Sequence, residues 1–169
     1  MKLTDYFLAE LDSESAISRR VLERVPDGLY EWKPHATSMT FGYLAELVAR
    51  IPSWASMAID RDELELRATG GGSQQMPSLR SSAELIAELE KVTTAARASL
   101  SKTDDDHLAT PWRLLMAGKP VLEQPRYMVL RDLFNHAAHH RGQLSVYLRL
   151  NGARVPSIYG PSADDQRFA

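Results

Sequence analysis

The sequence predicts an all-α fold, a four-helix bundle with crossover connections, built as a single domain over residues 1–169. Three observations predict it. Four segments carry apolar residues at helical spacing, the connections between them differ greatly in length, and no internal repeat divides the chain. Hydrophobic residues make up 44% and charged residues 25%, the balance of a chain that buries a core.

The first helix is expected over residues 4–25, with Thr4 as N-cap and Leu3, Phe7, Leu8, Leu11, Ile17, Val21 and Val25 as its apolar set. Pro26, Asp27 and Gly28 end it. A turn-rich link over residues 30–39 follows, ordered by Trp32 and Pro34. Thr40 then reads as the N-cap of a second helix over residues 41–65, with Leu44, Leu47, Val48, Ile51, Trp54, Ala55, Ala58 and Ile59 inward. Pro52 falls inside that pattern and should kink the helix, because it removes a backbone donor and clashes with the preceding turn. The glycines 70–72 mark a loop over residues 69–78. Ser81 with Glu84 is a capping box for a third helix reaching Leu100, with Leu85, Leu89, Val92 and Ala96 buried, and Asp104, Asp105 and Asp106 close that region. Residues 110–125 read as two short extended pieces forming a β-hairpin around Ala117 and Gly118. The last helix runs over residues 126–150, stopped by Asn151 and Gly152 ahead of a polar tail.

Composition excludes several functions. The chain has no cysteine, which removes disulfides, cysteine-bound zinc and a cysteine nucleophile. Net charge is −2 and no basic stripe is visible, so neither nucleic acid nor an anionic membrane is an expected partner. MKLTDYFLAELDSE lacks the basic and apolar regions of a signal peptide, and a cytoplasmic location is the expectation.

The chemistry is expected at the histidines of the last helix. With His136 at the origin of a helical wheel, His140 falls near about +40°, Leu133 near about +60° and Leu144 near about +80°. His140 therefore lies inside the apolar stripe and His136 at its edge. His139 falls near about −60°, beside Asp132 and Gln143, where it suits a surface role or outside support of the pair. Two imidazoles one turn apart can share one divalent ion, and neutral imidazole suits zinc, nickel, copper or iron. The same spacing also arises from ordinary packed histidines that find hydrogen-bond partners. No Glu occupies the second position of an H-E-x-x-H motif, which disfavours a zincin protease. Tyr159 and Ser162 could line the mouth of the site, but more simply pin the tail, and Asp164 and Asp165 are expected to be solvated. The wheel angle of Arg141 favours an interhelical or subunit ion pair, and Trp32, Trp54 and Trp112 are expected as core or interface aromatics.

The run from Asn135, NHAAHHRGQLSVYLRLNGARVPSIYGPSADD, resembles the DinB/YfiT-like family, above all in HHRGQL and VPSIYGPSADD. The stretch YEWKPHATSMTFGYLAELVARIPSW, from Tyr30 to Trp54, is similar to that family's link and second helix. The resemblance implies a helical bundle holding a divalent metal, zinc or nickel, on three histidines, with no organic cofactor. It also implies homodimers and metal-dependent reactions of small thiol cosubstrates. His136 and His140 match the pair on the last helix. The third ligand does not carry over: members reading L-A-x-H-V-A-x-I-P-x-W have histidine where this chain has Leu47. Glu46 turns away from the core on the wheel, and no spacing brings His35 or His107 to the pair. Two readings follow, a metal-dependent transferase or hydrolase with an incomplete site, and a metal-free bundle serving dimerisation or small-ligand binding.

Overall fold

The computed structural model describes residues 1–66 and 78–167. The glycine-rich loop expected over residues 69–78 lies, apart from Ser78, outside the described residues. Among the described residues the chain is mostly helical. Helices α1 (Leu3–Leu22), α2 (Phe41–Arg50), α3 (Ser53–Asp60), α4 (Ser82–Lys102), α5 (Asp105–Ala109) and α6 (Arg126–Leu150) accompany strands β1 (Glu63–Leu66), β2 (Pro111–Met116) and β3 (Lys119–Pro125).

Two of the expected caps form. The Thr40 hydroxyl accepts from the Tyr43 N–H, and the Ser81 hydroxyl from the Glu84 N–H, each at 3.2 Å. The Glu84 carboxylate reaches back to the Arg80 N–H, one residue before the cap. Thr4 is no cap. Helix α1 starts one residue earlier, and Asp105 accepts from the N–H groups of Leu3 and Thr4 at 3.0 and 3.2 Å. Of the acidic triplet, Asp104 caps α5 through the His107 N–H at 2.8 Å, so these residues start structure as well as ending it.

The expected second helix divides. Around Pro52 the Trp54 and Ala55 N–H groups bond to Ile51 and Pro52, a tightened turn between α2 and α3. Beyond Asp60 the chain becomes extended, and residues expected to be helical up to Glu65 enter β1. Glu63-Leu64-Glu65-Leu66 alternates with period two, a strand signal. The expected hairpin is present as β2 and β3. Ala117 and Gly118 turn it with φ of 51° and 73°, both positive, as a tight two-residue hairpin turn demands. The sheet is larger than that hairpin: β1 adds to β2 in parallel, giving the order β1-β2-β3. The all-α expectation is corrected to a mostly helical fold carrying a small mixed sheet.

Alternation gives the sheet two unlike faces. Glu63 and Glu123 flank Arg113 on one, with Arg113 paired to Glu63 at 2.7 Å. Leu64, Leu114 and Leu122 stand in register on the other, which faces α3 and α6. The buried residues form two clusters. One contains Leu144, Tyr147 and Leu148 of α6 with Phe41, Leu44 and Leu85, and the other Leu130, Leu133, Phe134 and Ala137 of α6 with Phe7, Leu11 and Leu100. On α6 the segment between these sets holds buried His140 and Arg141.

Candidate functional site

His136 and His140 come together as their spacing predicts. The Gln143 Oε1 lies 2.8 Å from His140 Nδ1, an acceptor that places the ring proton at Nδ1. His140 Nε2 is then a lone pair, and His136 Nε2–H donates to it across 2.7 Å. Burial, followed by the neighbouring His140 and His139, lowers the pKa of His136, which favours its neutral form. Trp54 of α3 meets the His136 ring edge-on at a centroid distance of 5.0 Å. His139 is exposed, with its ring 5.0 Å from that of His140.

Leu47 is partly buried on α2 and packs on the core cluster containing Leu133, Phe134 and Ala137, the α6 residues around His136. Glu46 is engaged elsewhere, bonded to Arg50 and to the Leu79 N–H at 2.9 and 2.8 Å. His35 is exposed and bonds within its own link to Thr37. His107 lies at the far end of α3, its Nε2 2.9 Å from the Ile59 carbonyl and 3.1 Å from Arg126 Nε. Among the described residues no three or more His, Cys, Asp or Glu side chains are grouped to hold a metal ion.

This donor set half-fits a metal. His140 is the tautomer a ligand needs, with Nδ1–H held by Gln143, and its Nε2 lone pair, which accepts from His136, would coordinate once that bond gave way. A catalytic zinc centre, however, takes about three protein ligands and keeps one position open. Two imidazoles and a leucine do not supply that centre.

His136 borders a cavity of about 490 Å³ between the sheet and helices α3 and α6. Trp54 and Met57 of α3, the inward leucines of the sheet, Trp112, and Val129 and Leu133 of α6 form most of its wall. Gln124, Asp132 and His136 are its polar members. Gln124 donates to Asp132 Oδ2 at 3.0 Å. Sequence reasoning missed this cavity because it took Trp54 and Trp112 for plain packing and did not see β1. The signal was the run of leucines at period two in the strands. It also placed Gln143 on the flank of α6 without seeing that a residue three positions after His140 can hold that ring.

Chain comparison agrees with the resemblance seen in the motifs. The model of the DinB family matches residues 1–167. The chain belongs to the DinB family. It is 26% identical over 162 residues to the uncharacterized protein YrdA of Bacillus subtilis strain 168, covering 95% of this chain and 90% of that one. Among solved structures it is similar to a DinB-like protein of Bacillus cereus ATCC 10987, at 24% identity and a TM-score of 0.68, over 90% of this chain and 95% of the other. A second DinB-like protein, YjoA of Bacillus subtilis, shares 18% identity at a TM-score of 0.66 over 96% and 99% of the two chains. These two likenesses speak for the fold.

The remaining candidates of this DinB chain serve structure. Arg141 is fully buried and pairs with Glu14 of α1, the interhelical ion pair its wheel angle favours. It also bonds Ser18 Oγ at 3.0 Å and the Tyr159 hydroxyl, and that hydroxyl donates to Glu14 at 3.0 Å. Tyr159 thus pins the tail. Ser162 closes a turn within the tail through the Val155 carbonyl at 2.6 Å. Asp164 and Asp165 are not simply solvated: they accept from the Val155 and Ser157 N–H groups and pair with Arg149 and Arg167. No helix among the described residues is long and apolar enough to cross a membrane.

Proposed function

We propose that this DinB-family chain binds a small, largely apolar molecule in the cavity between the sheet and α3/α6, with the His136–His140 pair as the polar group at its edge. The observation that carries this reading is the cavity wall itself, in which His136 is at once a lining residue and the hydrogen-bond partner of His140. Ligand sites are concave and mostly apolar, with a few polar groups that fix orientation, and this cavity has that constitution. The hydrogen-bonded pair offers a molecule in the cavity a donor or an acceptor.

A second reading rests on the Gln143–His140 bond, which holds His140 as a metal ligand would be held. In it, His136 and His140 would hold zinc or nickel, which would supply Lewis-acid chemistry to water or to the thiol of a small cosubstrate. With Leu47 at the third position, the metal would be held weakly. Metal analysis and zinc titration of untagged protein separate the two readings. The first expects sub-stoichiometric metal, and Leu47→His should then tighten zinc binding by completing a three-imidazole set. A full equivalent of tightly held metal in the unaltered protein overturns the first reading. Unchanged affinity in Leu47→His counts against Leu47 as the third position. Nile red, a neutral apolar dye, tests the cavity separately: it should brighten with the protein and lose that signal in Leu122→Asp.

A homodimer in the cytoplasm belongs to the same proposal. Tyr43 of α2 and Val146 and Leu150 of α6 are apolar and more than half exposed, which supports an interface.

A further inference from the structure

We infer that the cavity takes an aryl or alkyl compound whose head group is neutral or positively charged, and rejects the matching anion. The inference deepens the ligand-binding reading above and rests on it. Its basis is the charge of the wall. Asp132 is the only charged residue lining the cavity among the described residues, and neither lysine nor arginine lines it. Of the two cations of the sheet, Arg113 belongs to the opposite face with Glu63, and Lys119, paired with Met116 at the hairpin end, is exposed and outside the lining. Arg131 lies 3.7 Å from Asp132, but both side chains of that pair are about half exposed and the arginine is outside the lining.

An anion entering this space would surrender its water to a wall of leucines and indoles that, among the described residues, holds no cation to replace it. An unpaired buried charge of that kind is strongly disfavoured, whereas a neutral hydroxyl is much less so once it meets a hydrogen-bond acceptor. An ammonium group gains the Asp132 carboxylate, one helical turn before His136 and already fixed by Gln124. Trp54 and Trp112 add faces to which cations and aryl rings are attracted. The volume of about 490 Å³ suits a small organic molecule.

The test uses three compounds of one shape on the untagged full chain: phenethylamine, phenethyl alcohol and phenylacetate. Binding is read by calorimetry and by tryptophan emission. The amine and the alcohol should bind, with phenylacetate about tenfold weaker or worse. Asp132→Asn should weaken the amine about tenfold and the alcohol much less. Leu122→Arg, at a partly exposed strand position that tolerates a charge, should shift the preference toward phenylacetate. Equal binding of all three overturns the charge rule and leaves the cavity as a binding site. Binding of none of them overturns both the charge rule and the ligand-binding reading. A preference for phenylacetate in the unaltered protein overturns the charge rule outright.

Discussion

The guanidinium of Arg141 lies wholly inside the protein, where an unpaired charge would be prohibitive, and Glu14, Ser18 and Tyr159 converge on it from α1 and the tail. Removing one partner should therefore cost more than removing both. Glu14→Ala is expected to destabilise the fold by about 3–5 kcal/mol, because the buried arginine is left without its counter-ion. The double variant Glu14→Leu with Arg141→Met should recover most of that loss. Urea-unfolding midpoints of the unaltered protein and the two variants check it; a double variant as unstable as Glu14→Ala would show that the unpaired charge is not the cause. The helical wheel could find that Arg141 seeks an ion pair, since its angle is set by its own helix. It could not name Glu14, because the partner lies 127 residues away and α1 must first dock on α6.

At the scale of elements, what is local was legible and what is long-range was not. Thr40 and Ser81 are legible caps because hydroxyl and amide lie three residues apart. The Ala117-Gly118 hairpin and the break at Pro52 have the same local character. Asp105 caps α1 across 102 residues, and β1 finds β2 about fifty positions along the chain, so neither pairing leaves a local mark. The candidate site divides in the same way: the His136–His140 pair is a helical repeat, whereas the cavity exists only once the sheet stands over α3 and α6. Gly42, in the first turn of α2, shows the cost of such packing. A Cβ there would lie 2.8 Å from Tyr30 Cδ1 and 3.1 Å from the Tyr30 carbonyl oxygen, while the Gly42 N–H bonds that oxygen at 2.9 Å. Tyr30 is itself buried, with its phenol pushed up to about 12 chiefly by that burial, so it has little room to retreat. Gly42→Ala should destabilise by about 1–3 kcal/mol despite the better helix propensity of alanine. A raised or unchanged denaturation midpoint would refute the close approach.

Across the whole molecule, α6 carries both core clusters and, between them, His140 and Arg141, each reaching polar partners. The two ends of the chain are fastened differently, by partly buried carboxylates. Asp105 holds the start of α1, and Asp164 and Asp165 hold the tail. All three are kept below the usual aspartate range. For Asp105 the chief cause is the Leu3 N–H, for Asp164 the Arg149 side chain, and for Asp165 the Arg167 side chain. A carboxylate whose pKa is lower folded than unfolded binds protons more readily in the unfolded chain. Its stabilisation is complete above the ordinary aspartate value of about 3.9 and is lost as the pH falls through the folded value. The core clusters carry no carboxylate, and His136 on α6, lowered as well, begins to lose its stabilisation already below the ordinary histidine value of about 6.5, so within the carboxylate range acid should loosen the ends first. Between about pH 5 and pH 2 amide exchange should accelerate at Leu3, Thr4, Val155 and Ser157 before it does in the interior of α6. Asp165→Asn should make exchange at Ser157 fast already at neutral pH and flatten its dependence on acid. Simultaneous loss of protection at the ends and in α6 would mean instead that the carboxylates are part of one cooperative unit with the core.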